Sequence, residues 1–238
     1  FNSLEVSDNI EVYLDRGEKC ELKIEADDNL HDIITIDLTA NTLRINTTKE
    51  ASNYKKLIVR VTYDKGLKMI SANNETIINA IQEIQLDDIA FKAQDDAKLF
   101  LNVNSKNFSL QSDNNSKTEL NLKSEKATIE LSENSSLKAL VASLELKCDL
   151  YEKAKATLEG EVDNAVIRLD NNAVLTANNL VIKNADLLAE NYSSCDINVN
   201  SLLSLDASGN STIHLYGEQK IETKRFMDNA SLIKKPTK

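Results

Sequence analysis

The 238-residue chain has a formal net charge of −10 and a pI near 4.8. That balance argues against nucleic acid as a partner, because phosphate backbones are bound by clustered Lys and Arg. No apolar run approaches the roughly 18 residues of a membrane-spanning helix. No signal peptide is read at Phe1, where the sequence starts in a strand-like pattern, which fits a mature or trimmed form as well as a cytosolic protein.

Hydrophobic residues make up 41% of the chain but aromatics only 5%, with no Trp, so the core is expected to be Leu, Ile, Val and Ala. Five Gly and one Pro leave the turns to Asn, Asp and Ser. Those residues tolerate left-handed backbone geometry and hydrogen-bond locally.

In chain order, residues 1–66 hold alternating runs such as Ile10–Leu14, Leu22–Ile24, Leu43–Ile45 and Leu57–Val61. Alternation at period two is a strand with one buried face. Turn signals at Asp15-Arg16-Gly17 and Ala40-Asn41 separate the runs. The segment lacks a fixed period and is read as an irregular β cap over the open end of a repeat.

From residue 67 the chain repeats. Small residues recur as anchors at Ala97, Ser116, Ser135, Ala154, Ala173, Ser193, Ser211 and Ala230, in steps of 19, 19, 19, 19, 20, 18 and 19. Glu75, after Ala72-Asn73-Asn74, is taken as a ninth anchor, with a three-residue insertion behind it. Apolar residues fall two and four positions after most anchors and six and eight before them, as in Leu137, Ala139, Ile129 and Ala127 around Ser135, with Thr118 after Ser116 as an exception. Two strand segments of 19 residues cannot bury a face alone, so the units must stack about 4.8 Å apart. The expected fold is all-β: one domain over 1–238, a single-stranded parallel β-helix with coils over 67–238. A right-handed coil is favoured, because parallel crossovers are overwhelmingly right-handed.

The position before each anchor is rich in Asn: Asn74, Asn115, Asn134, Asn172, Asn210 and Asn229. Stacked, these side chains would form a structural column, each amide supporting the next. Cys148 and Cys195 fall in inward slots on opposite strand segments, too far apart for a disulfide. With Cys20 they make an odd count without metal-ligand spacing, and the two inward ones are read as free thiols that act as small hydrophobes. At the far end, Lys234-Lys235-Pro236 places charge and a Pro on the last edge.

Across its length the chain resembles the auto-transporter adhesin head domain family, the GIN domain. The similar stretches are Phe1–Leu14 (FNSLEVSDNIEVYL), Leu22–Leu30 (LKIEADDNL), Leu43-Arg44-Ile45 and the Leu67–Asn79 unit. The Ser-Gly common in that family's repeated turn is kept only at Ser208-Gly209. The resemblance implies a β-helical protein of the bacterial cell envelope, in the periplasm, on the outer surface or secreted.

Chemistry is sparse. His31 and His214, the only histidines, are read as surface residues without metal-ligand partners, and no metal or cofactor is expected. Phosphate-loop, nucleophile-elbow and dinucleotide signatures do not occur. Glu130, Asp149 and Arg168 share one outward column, which is compatible with a lyase or calcium site but equally with a solvated ion-pair column. Tyr151 and Tyr192 sit on the turn ridge two coils apart, where sugars stack on such rings. The expected function is a non-enzymatic binding or adhesion module for a glycan or a cell-surface protein. The alternatives are a polysaccharide-active enzyme, lyase or hydrolase, on the same scaffold, and a passive structural protein.

Overall fold

A strand with alternating polarity has one face to hide, and a short coil hides it only against its neighbours. The computed structural model, which describes residues 1–26, 33–48 and 57–236, shows that outcome. The described residues form seventeen strands in one hydrogen-bonded sheet. Seven strands are long and bend partway: β8 (Ile77–Ala93), β9 (Lys98–Ser112), β10 (Lys117–Leu131), β11 (Ser136–Leu150), β12 (Lys155–Leu169), β13 (Val174–Ala189) and β14 (Ser194–Ala207). Neighbours pair in parallel at the spacing read from the sequence, so Thr118 lies between Leu99 and Leu137.

The half of each long strand after the tight turn builds a first wall, and the half beyond the bend a second. In β10, Thr118, Leu120 and Leu122 are buried on the first wall. Ala127, Ile129 and Leu131 are buried on the second, and exposed Glu125 and Lys126 mark the corner between them. Each fully buried Leu or Ile adds about 1.5–3 kcal/mol. The buried cluster runs from Leu4 to Leu215.

The turns explain the anchors. Ala97 N–H donates to Gln94 O at 3.1 Å, and Ser116 N–H to Asp113 O at 3.1 Å. The two residues between carry positive φ, 52° and 62° at Asp95 and Asp96. The anchor itself tucks under the turn, fully buried at Ala97, Ser116, Ser135 and Ala154, where only a small side chain fits.

Upstream, the buried anchor is Thr76 rather than Glu75. Asn74 and Glu75 are the two turn residues, with φ of 51° and 60°. Asn73 opens the turn, and Asn74, the first of the two left-handed residues, stands one position out of the column of Asn115, Asn134 and Asn172. The insertion is correspondingly two residues, since Ala80 pairs with Leu101 and Ile84 with Val103. The Asn-Asn dipeptide begins one place earlier in this unit, which shifts an alignment made on Asn alone.

The cap follows the same plan out of chain order. β1 (Ser3–Val6) and β2 (Glu11–Arg16) flank a tight turn at Asp8 and Asn9, with Ile10 buried beneath it. β1 lies between β5 (Thr42–Thr47) and β7 (Met69–Ala72), and β2 between β6 (Leu57–Tyr63) and β8, all in parallel. β3 (Glu21–Ala26) and β4 (Ile34–Thr39) then close the end, pairing antiparallel with β6 and β5. Among the described residues, segment 1–66 thus contributes β1, β2, β5 and β6 to the parallel stack and β3 and β4 as antiparallel edge strands. At the other end, β15 (Thr212–Tyr216) and β16 (Lys220–Phe226) both pair with β14, and β17 (Ser231–Lys234) pairs with β15.

Cys148 and Cys195 are free and fully buried, and Cys20 is free and exposed. Burial pushes the Cys148 thiol up to about 12 and the Cys195 thiol upward as well. Both are inert at neutral pH for that reason. His31 lies outside the described residues.

Candidate functional site

The tight turns stack into a ridge along one side of the rod, tied by the backbone. Asn115 N–H donates to Glu133 O at 3.0 Å, Asn134 N–H to Glu152 O at 3.2 Å and Asn172 N–H to Asn191 O at 3.1 Å. Those three asparagines have φ of 64°, 64° and 65°. Side chain joins side chain within the expected column at Asn229 Nδ2, which donates to Asn210 Oδ1 at 3.0 Å. Other amide contacts on the ridge use different turn positions, such as Asn191 Nδ2 donating to Asp170 Oδ1 at 2.9 Å.

Tyr192 occupies the position held by Asn172 one coil earlier, at φ 62°, and is 66% exposed. Tyr151 instead opens its turn, where Ala154 N–H donates to its carbonyl at 2.9 Å. One turn separates the two tyrosines, so they stand roughly 10 Å apart along the ridge. The Arg168 guanidinium lies 5.6 Å from the Tyr151 ring centroid and covers one of its faces. Burial, and then the negative charge of Asp149, raise the Tyr151 phenol above its ordinary value.

Glu130, Asp149 and Arg168 are neighbours in register, as the column requires. Asp149 is not an open outward carboxylate, however, for the residue is only 8% exposed. Lys147 Nζ sits 2.9 Å from its Oδ2, and that hydrogen bond holds the Lys147 ammonium above its usual range. His214, for which the sequence offered no partner, places Nδ1 2.7 Å from Asp196 Oδ1 on the adjacent coil.

The first wall carries a patch that the sequence reading missed. Ile81, Phe100 and Leu140 are exposed around Asn102 and Asn121, over an open depression of about 670 Å³. Asn121 Nδ2 donates to Asn102 Oδ1 at 3.1 Å. Phe100 and Leu140 both stand in outward slots of the period, and that was the available signal. Ile81 falls in the two-residue insertion, where no slot was assigned.

Fold and surface define an extended parallel β-solenoid that presents long lateral faces with side chains in regular columns. The chain belongs to the family described as putative auto-transporter adhesin, head GIN domain, whose profile matches residues 1–140 and 117–218. A putative adhesin from Parabacteroides merdae ATCC 43184 has the same fold, with a TM-score of 0.73 at 18% identity, over 98% of this chain and 91% of that one. A putative adhesin from Parabacteroides distasonis ATCC 8503 gives 0.73 at 13% identity, over 98% and 92%. A protein of the same organism described as a putative lipid binding protein gives 0.67 at 14%, over 98% and 92%. No curated protein matches the chain. The family and these neighbours are named for adhesion or lipid binding, which points to a binding module and, for the adhesins, to the cell surface.

Proposed function

We propose that the chain is a non-enzymatic adhesion module of the cell envelope that engages a glycan or a protein surface through its turn ridge and first wall. The observation that carries this reading is Tyr192. A bulky side chain in left-handed backbone is disfavoured by about 1 kcal/mol relative to Asn or Gly. Tyr192 accepts that strain while 66% exposed, so little core burial offsets it. Glu152 and Lys153 on the same ridge carry similar φ, so it is the exposed aromatic ring that argues for contact with a partner. The family name and the neighbours' names support the same reading. The Glu130–Asp149–Arg168 column is assigned to the scaffold, because Lys147 closes on Asp149 and Arg168 on Tyr151.

The test is a glycan array, paired with cell-surface pulldown, using the wild type, Tyr192→Asn and Phe100→Ala. Tyr192→Asn is expected to keep or raise the unfolding midpoint and to lose binding. Binding retained in both variants would remove these residues from the site. A wild type that retains neither glycan nor surface protein would remove the reading itself.

A further inference from the structure

The corner between the walls forms a separate surface. Where the long strands bend, Ser105, Ser124 and Ser143 lie in register on successive coils. Beside them opens a depression of about 1010 Å³, on which Arg16, Lys65, Lys68, Lys106 and Lys123 converge. Asp87, Asp88 and Glu125 share it. Asp87 is matched by Lys106 at 3.1 Å, and Asp88 accepts from Asn107 Nδ2 at 2.7 Å. Among the described residues, Arg16, Lys65, Lys68 and Lys123 form no ion pair within 4.0 Å. Five cations against three carboxylates leave the furrow lining at +2, against −10 for the whole chain.

Ser105 forms part of the floor of the depression and is 7% exposed, with its Oγ enclosed and without a hydrogen-bond partner among the described residues. The furrow also continues. A second depression of about 540 Å³ shares Ser124 and Ala142 and reaches Asn200, but Glu161 and Asp163 join Lys183 there, so the cationic part of the corner ends at Lys123. From Lys68 to Asn200 the corner spans roughly 30 Å.

We propose that this furrow binds an extended acidic polysaccharide. Its carboxylate or sulfate groups sit on Arg16, Lys65, Lys68 and Lys123, and its chain runs along the corner. The proposal rests on the binding-module reading but names the ligand class and uses a different face from Tyr192. Its chemistry is anionic oxygen carried at intervals on a sugar chain. Nucleic acid is disfavoured, because no aromatic side chain lines the furrow to stack a base.

The experiment is biolayer interferometry of the full chain against polygalacturonate, heparin, neutral dextran and phosphatidylglycerol vesicles. One variant carries Arg16→Gln, Lys68→Gln and Lys123→Gln. A control carries Lys92→Gln, Lys220→Gln and Lys224→Gln on the second wall, away from both proposed surfaces and with the same change in net charge. Polygalacturonate or heparin should be retained in a salt-sensitive manner and dextran should not, the preferred polymer distinguishing carboxylate from sulfate. The furrow variant should bind about tenfold more weakly or worse, with the control near wild type. Equal weakening in both variants, retention of vesicles in place of the polymers, or no retention of either acidic polymer would overturn the proposal. If a glycan is lost on Tyr192→Asn while the furrow variant binds normally, the furrow falls and the binding module stands.

Discussion

At the scale of the residue, the ridge depends on backbone conformation. At Asn115, Asn134 and Asn172 the second turn residue is left-handed, a region Asn tolerates better than most side chains, whereas at the last two turns Gly209 and Asp228 carry the positive φ in place of Asn210 and Asn229. Asn172→Ala should therefore lower stability by about 1 kcal/mol. Asn172→Gly should restore most of the loss, since Gly adopts positive φ without steric cost. Chemical denaturation distinguishes the roles, and equal losses in both variants would assign the effect to the amide. The preference was legible in the Asp-Asn-Asn repeats. It was not legible at Glu133, Glu152, Lys153 and Tyr192, which also have positive φ, because their residue types do not announce it. The burial of Asp149 was hidden for another reason. An outward slot is covered by neighbours on its own and adjacent strands, Lys147 among them, which the period alone does not place.

At the scale of the element, the coil was readable because each inner column repeats a requirement. The step of 20 before Ser193 reappears as a register shift between Thr157 and Glu159, and the step of 18 after it as shifts between Ala177 and Val181 and between Ile182 and Asn184. The insertion near Ile81 reappears as the shift between Ala80 and Ile84. Gly160 marks a tighter constraint in β12. Its φ is 112°, and an added Cβ would come within 2.1 Å of the Val141 carbonyl oxygen on β11. Gly160→Ala should cost about 2–3 kcal/mol. Gly66→Ala is the control, as its φ is unstrained and its nearest obstacle is the Asp64 carboxylate at 3.0 Å. A midpoint unchanged by Gly160→Ala would mean that the two strands separate there at little cost.

At the scale of the whole molecule, the ends were the least legible part. The first sixteen residues form a coil between that of β5 and β6 and that of β7 and β8. The intervening antiparallel strands β3 and β4 break the period, so sequence spacing no longer equals layer spacing. The furrow was hidden likewise, since Arg16, Lys68 and Lys123 meet only after that rearrangement. The lateral surfaces that result suit binding over length, and the competing role is cleavage of a polysaccharide at Glu130 and Asp149. The most direct measurement incubates the purified chain with acidic and neutral polysaccharides, with and without calcium. It follows polymer retention and new reducing or unsaturated ends in the same sample. Retention without new ends is the expected result, whereas turnover that disappears in Glu130→Gln or Asp149→Asn would contradict a binding module.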